Sequence, residues 1–227
     1  MRIAILAAME KERALLLPLL ENRRDEDYEG LTVSVGRIGR HEVGVARCGI
    51  GKVNSAINAY KCIRGFGPQL VVNSGVAGGA GATRIGDLLV ADYVSYHDVW
   101  CGPETDIGAA DGMDVFIPCD RKVIDIAYRL YAEGGLRVGL ICSGDRFITT
   151  REEVDAIKAG FPEVMAIDME SASIGQVCAM CGTPFNIIRV VSDTPGDGEN
   201  VSQYANFWSD APERTLNAVR GIIESLD

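Results

Sequence analysis

Apolar residues fall along this chain in short continuous runs, and between them lie longer stretches with helical spacing. Ile3–Ala8 is such a run and predicts a strand central in the sheet. Glu10 to Leu20 has helical spacing at Ala14, Leu15, Leu17 and Leu20, broken near Pro18. Asn22 to Gly30 is charged and reads as a loop. Leu31–Ile38 and Glu42–Cys48 alternate weakly and are joined by Gly39-Arg40-His41, which predicts a hairpin. A glycine turn, Gly49-Ile50-Gly51-Lys52, leads into a helix over Val53–Ile63. Leu70–Asn73 is a buried strand that runs into a glycine-rich loop, Ser74 to Gly81, whose backbone could approach a ligand closely. Asp87–Tyr93 is a strand, and Val99 to Asp114 is irregular. A loop that long in a compact domain is functional or lies at a partner interface. Asp120–Glu133 reads as a helix, Arg137–Cys142 as a strand, Ser143 to Thr149 as a strand-end loop and Arg151–Ala159 as a helix. Val164–Ile167 is a strand, Ser171–Met180 a helix, Phe185–Val191 a strand, and Gln203 to Leu226 a closing helix with Phe207 and Trp208 near its start. Strands alternating with helices predict an α/β fold. The expectation is one three-layer domain over 1–227, with a mixed, mostly parallel twisted central sheet flanked by helices.

Composition narrows the function. The chain has 227 residues, 47% of them hydrophobic, enough for a sizeable core. A net charge of −10 argues against nucleic acid or an anionic membrane as partner. Seven cysteines at irregular spacing read as core thiols of a reducing, cytoplasmic compartment rather than a zinc pattern. With only two histidines, His41 and His97, a histidine-rich metal site or a Ser-His-Asp triad is not expected. The first apolar run meets Lys11-Glu12-Arg13 without a cleavage-like region, so it reads as a strand and not a leader. The segment Gly49 to Asn54 has the form G-x-G-x-x-N, neither a dinucleotide fingerprint nor a P-loop.

The candidate chemistry collects at strand ends. Val164–Ile167 stops at two acids, Asp168 and Glu170, just where a helix begins. One reading makes them helix caps. The other makes a carboxylate the acceptor for a sugar's vicinal hydroxyls. Glu10 and Glu12 stand at the first strand-to-helix corner, as dipole partners or as groups pointing into a site. Arg189, Val191 and Asp193 would share one strand face, where an internal ion pair is the alternative to a functional role. Ser74, Asp145 and Phe147 complete the set. It contains no nucleophile with an adjacent base and no metal-ligand spacing. Carboxylates, an arginine, glycine-rich backbone and a stacking aromatic suit a dissociative reaction at a sugar carbon.

Six motifs carry a resemblance: AAMEKE at 7–12, CGIGKVN at 48–54, NSGVAGG at 73–79, SGDRFI at 143–148, AIDMES at 166–171 and RVVSD at 189–193. In this order and spacing the chain resembles the 5′-methylthioadenosine/S-adenosylhomocysteine nucleosidases of the nucleoside phosphorylase superfamily. The resemblance implies a mixed sheet wrapped into a partial barrel, a homodimer, a small nucleoside substrate and no cofactor or metal. It implies Asp193 as the acid that protonates purine N7 and Glu12 as the base for the attacking water. Glu170 would hold the ribose hydroxyls beside the Met169 backbone, and Arg189 would line the water side. Phe147 would stack on adenine and the Ile148 backbone would read its edge. Met9, Ile50 and apolar residues of 203–208 would line the 5′ pocket, with Tyr204 and Phe207 both candidates for its late aromatic. Val76, Ala77, Gly78 and Ser192 complete the expected substrate contacts. Val76 stands where the family pattern often has serine, and the 100–114 segment also departs from the pattern, although the loop there is expected to reach a partner's site. The alternatives are a phosphorolytic relative, a nucleosidase for another nucleoside such as futalosine, and a non-catalytic nucleoside-binding protein.

Overall fold

The first apolar run forms strand β1 (Arg2–Ala7), and its alternate residues feed two different cores. Ala4 and Leu6 pack into one cluster, and Ile3, Ile5 and Ala7 into the other. A strand buried on both faces has no polar face to show, which explains the unbroken apolar pattern. The computed structural model describes residues 1–210 and 212–227, and side chains for all of these except 208–210 and 212–213. The remaining strands are β2 (Glu21–Tyr28), β3 (Leu31–Ile38), β4 (His41–Arg47), β5 (Leu70–Gly79), β6 (Leu88–Tyr96), β7 (Ile117–Pro118), β8 (Leu136–Ser143), β9 (Val164–Asp168) and β10 (Phe185–Asp193). The α-helices are α1 (Glu10–Leu16), α2 (Lys52–Phe66), α3 (Arg121–Tyr131), α4 (Arg151–Gly160), α5 (Ser171–Cys181), α6 (Asn200–Asp210) and α7 (Pro212–Glu224).

The expected mixed sheet is present, and it curls. Strand β5 gives the first half of one edge to β1, through Leu70–Asn73, and the last part of that edge to β9, through Gly78 and Gly79. Its other edge pairs with β10, which continues through β6 and β8 back to β9. These five strands close a ring, and β1, β4, β3 and β2 extend from it as a wing. The wing hairpins and the β9 and β10 closures are antiparallel, so parallel and antiparallel pairings are balanced among the described residues.

Four local expectations change. Residues 74–79 are strand, not loop. The glycines there let neighbours close in: a Cβ on Gly75 would lie 2.5 Å from Glu12 Oε1. Asn22–Gly30 is not a loop either, because Glu21–Tyr28 pairs with β3 as an edge strand. Its charges are the usual protection of an exposed edge, and Arg24 pairs with Glu26 and Glu42. Strand β10 runs on through Ser192 to Asp193. The closing helix is two helices, α6 and α7, the second opening at Pro212, a residue suited to a helix start. The side chain of Trp208 lies outside the described residues.

Helices α2 and α5 cover one core, α3 and α7 the other, and α4 packs over a third cluster around Phe161 and Val164. Among the described residues, no helix is long and apolar enough to cross a membrane.

Candidate active site

The ring brings chain ends together. Register places Asp193 of β10 and Ile167 of β9 both against Gly78 of β5. The turn after β1 sets Met9 and Glu12 on the same mouth. The resulting cleft encloses about 530 Å³ of space, its open mouth included. Glu12, Asp168, Glu170 and Asp193 line it together with Met9, Ile50, Val76, Ala77, Gly78, Phe147, Met169, Ser192 and Tyr204. A smaller recess shares Gly78, Phe147, Met169 and Asp193 with it and adds Ile148, Pro195 and Arg146, whose guanidinium pairs with Glu153.

The two acids after β9 divide their roles. Asp168 is the cap: its Oδ1 accepts the backbone N–H groups of Glu170 and Ser171, at 3.3 and 3.2 Å. The same carboxylate accepts from the Ser143 hydroxyl at 2.5 Å and from the Ser171 hydroxyl. Arg189 completes it, donating Nε at 3.0 Å and Nη2 at 2.8 Å to Oδ2. Arg189 is only 1% exposed and also donates to the Asn73 side-chain oxygen. A buried guanidinium is tolerable when so many acceptors meet it. Glu170 points elsewhere, and its Oε1 accepts the Gly51 N–H at 2.9 Å. Burial and the neighbouring Asp168 charge push the Glu170 carboxyl up to about 7, against the pull of Arg189.

Glu12 is the third residue of α1. Its Oε2 accepts the Met9 N–H at 2.9 Å, as a capping-box glutamate does. Its Oε1 accepts the Val76 N–H at 3.2 Å, which makes it more than a cap. Burial raises its pKa above the ordinary carboxylate value, and Arg189 and these amides hold the rise back. Beside it Ser74 Oγ and Arg189 Nη1 are buried without a partner among the described residues. Asp193 accepts from Ser192 Oγ at 2.7 Å and more weakly from Asn200 Nδ2 at 3.5 Å. Burial raises its pKa too, partly offset by those two donors.

Two of the expected substrate contacts sit elsewhere. Arg189 does not border the cleft, because Asp168 holds it behind the wall. Phe207 is buried in the apolar core and borders a small cavity that shares Glu12 and Val76 with the cleft. Tyr204, nearly one helical turn earlier on α6, takes the cleft position. Its ring meets Phe147 edge to face at 5.5 Å, and its hydroxyl lies 3.3 Å from the Met9 sulfur. Asn200 was not foreseen: it donates to the Ile148 carbonyl at 3.2 Å as well as to Asp193. An asparagine at a helix start looks like a cap in sequence, so nothing there marked it. Among the described residues no group of three or more His, Cys, Asp or Glu side chains could hold a metal ion.

Comparisons with known proteins agree with this geometry. The family model of the Phosphorylase superfamily matches residues 2–224. A 5′-methylthioadenosine/S-adenosylhomocysteine nucleosidase from Geobacillus thermodenitrificans is 36% identical, over 98% of this chain and 96% of its own length. The crystal structure of S-adenosylhomocysteine nucleosidase from Streptococcus pyogenes with 5-methylthiotubericidin superposes with a TM-score of 0.95 at 33% identity, covering 100% of this chain and 98% of the other. The Neisseria meningitidis 5′-methylthioadenosine/S-adenosylhomocysteine nucleosidase bound to methylthio-immucillin-A gives 0.94 at 34% identity, covering 99% of each chain.

Proposed function

The chain belongs to the phosphorylase superfamily, and we propose that within it this protein hydrolyses the N-glycosidic bond of 5′-methylthioadenosine and S-adenosylhomocysteine, releasing adenine. Relatives matching the whole chain carry that activity in their names. The observation that carries the reading is one cleft lined by four buried carboxylates, Glu12, Asp168, Glu170 and Asp193, and, among the described residues, by no lysine or arginine. A phosphate nucleophile would meet four acids there, whereas water meets a base.

Asp193, raised by burial, holds a proton and gives it to purine N7. The C1′–N9 bond then breaks with its electron pair moving to the base, and the sugar becomes an oxocarbenium-like cation. The ionised Glu170 accepts from the ribose hydroxyls and stabilises that cation. Glu12, held by the Met9 and Val76 amides, takes the proton of the attacking water. Phe147 stacks on the base, and Met9, Ile50 and Tyr204 surround the 5′-alkylthio group. Arg189 acts from behind, by lowering the cost of ionising Glu12 and Glu170. Adenine release, followed by chromatography in phosphate-free buffer, tests the reaction. Release that phosphate does not accelerate is expected, and release only with phosphate, alongside a sugar 1-phosphate, would overturn it.

The same reading includes a homodimer in a reducing, cytoplasmic setting. Ile50, Val53, Ile57 and Tyr60 are 49%, 70%, 52% and 51% exposed at helical spacing. They make an apolar strip on α2 that starts at the cleft. Trp100 and Ile107 are also exposed in the long loop expected to reach a partner's site. Sedimentation velocity checks this, and a fully active monomer at nanomolar concentration would count against it.

A further inference from the structure

Lys52, Asp98 and Asp145 form a closed cluster outside the cleft, and the reaction above uses none of them. Each oxygen of Asp98, just past β6, lies 2.8 Å from the Lys52 ammonium. Asp98 Oδ2 also accepts the backbone N–H of Asp145 at 2.9 Å. Asp145 completes the circuit, since its Oδ1 accepts the backbone N–H of Lys52 at 2.7 Å. The start of α2, the end of β6 and the loop between β8 and α4 are thereby fastened to one another.

The residue before Lys52 is Gly51, whose N–H holds Glu170. Gly51 has φ of 89°, a left-handed conformation open to glycine, and a Cβ there would come within 3.1 Å of Asp145 Oδ1. The Gly51 and Lys52 amides are the first free donors of α2, and each takes one carboxylate. Because they belong to consecutive peptide units, fixing the second restricts the direction of the first.

We infer that the Lys52–Asp98–Asp145 cluster is a positioning device that sets the orientation of Glu170 through the Gly51 amide. The inference rests on the reading of Glu170 as acceptor for the ribose hydroxyls. Asp145 is the residue to change, because its side chain is 47% exposed and its loss opens no buried void.

The test measures kcat and KM for Asp145→Ala and Asp145→Asn, with 5′-methylthioadenosine and with its 3′-deoxy analogue. On the parent substrate Asp145→Ala is expected to lower kcat/KM by about tenfold or more, as small misplacements of a binding group do. Asp145→Asn keeps an oxygen for the Lys52 N–H and is expected to recover most of that loss. On the 3′-deoxy analogue, which lacks one of the two hydroxyls that Glu170 accepts from, the loss caused by Asp145→Ala is expected to shrink to less than about half of that on the parent substrate. Equal losses on the two substrates, or no loss on either, overturn the positioning role. A wild-type enzyme that treats both substrates alike removes the assigned role of Glu170 itself, and the inference falls with it.

Discussion

Replacing Glu170 by glutamine should make the folded protein more stable and nearly inactive. The carboxyl ionises near its ordinary value of 4.5 in the unfolded chain, and burial beside Asp168 raises it to about 7 in the fold. At about 1.4 kcal/mol per pH unit, ionising it in the fold costs about 3 kcal/mol more than in the unfolded chain. Between those two values the unfolded chain binds fewer protons than the folded one, so this group lowers stability as pH rises and has its full effect above about pH 7. Glutamine keeps an oxygen for the Gly51 N–H but leaves an amide group to be satisfied, so a net gain of about 1–3 kcal/mol is expected at pH 8. For a chain of this size that corresponds to a rise of roughly 2–12 °C in melting temperature. At pH 4.5 the folded carboxyl is neutral too, so the gain disappears, the amide cost remains, and the variant should be no more stable than wild type. Thermal melts of ligand-free wild type and Glu170→Gln across pH 4.5–8 measure the effect. A variant less stable than wild type at pH 8, or a difference that does not change with pH, would refute the reasoning.

Asp193→Asn removes the proton for N7 while keeping shape and side-chain oxygen, so kcat should fall by about 10²–10⁴, with 5′-methylthioadenosine binding, by calorimetry, within a few-fold of wild type. Because the carboxyls of Glu12, Glu170 and Asp193 are all raised by burial, both limbs of the kcat/KM pH profile should lie above the ordinary carboxylate range. A rate-pH series in constant-ionic-strength buffer checks this. Asp168→Asn leaves the buried Arg189 guanidinium without its counter-charge and should cost about 3–5 kcal/mol in denaturant unfolding, whereas Asp168→Asn with Arg189→Met should recover part of that loss.

The motifs located the site, but the division of labour within it was not legible. Asp168 and Glu170 are two residues apart, and each could have been the cap or the ligand group. The decision comes from Arg189, twenty residues later in the chain, whose guanidinium occupies Asp168, and from Gly51, whose amide draws Glu170 away. Phe207 looked as suited to the 5′ pocket as Tyr204, and only the turn of α6 that buries one and leaves the other at the cleft separates them. The Ser74–Gly79 run reads as a loop in sequence because of its glycines. In the fold it is strand, and the missing side chain of Gly75 admits Glu12 against it.

By itself the sequence determined what is written in local periodicity and residue chemistry. The doubly buried strands, the helices that follow them, the acid-rich strand ends and the lack of metal-ligand spacing are all read over a few neighbouring positions. Tertiary structure decided what depends on pairing across the chain. Closure of the ring requires β5 to pass from β1 to β9 while β10 takes its other edge, and nothing near residue 78 announces either partner. That closure gathers Glu12, Glu170 and Asp193 into one cleft. Their raised proton affinities follow from the shared burial, so the acid and the base proposed for the reaction are properties of the assembled fold and not of any one segment.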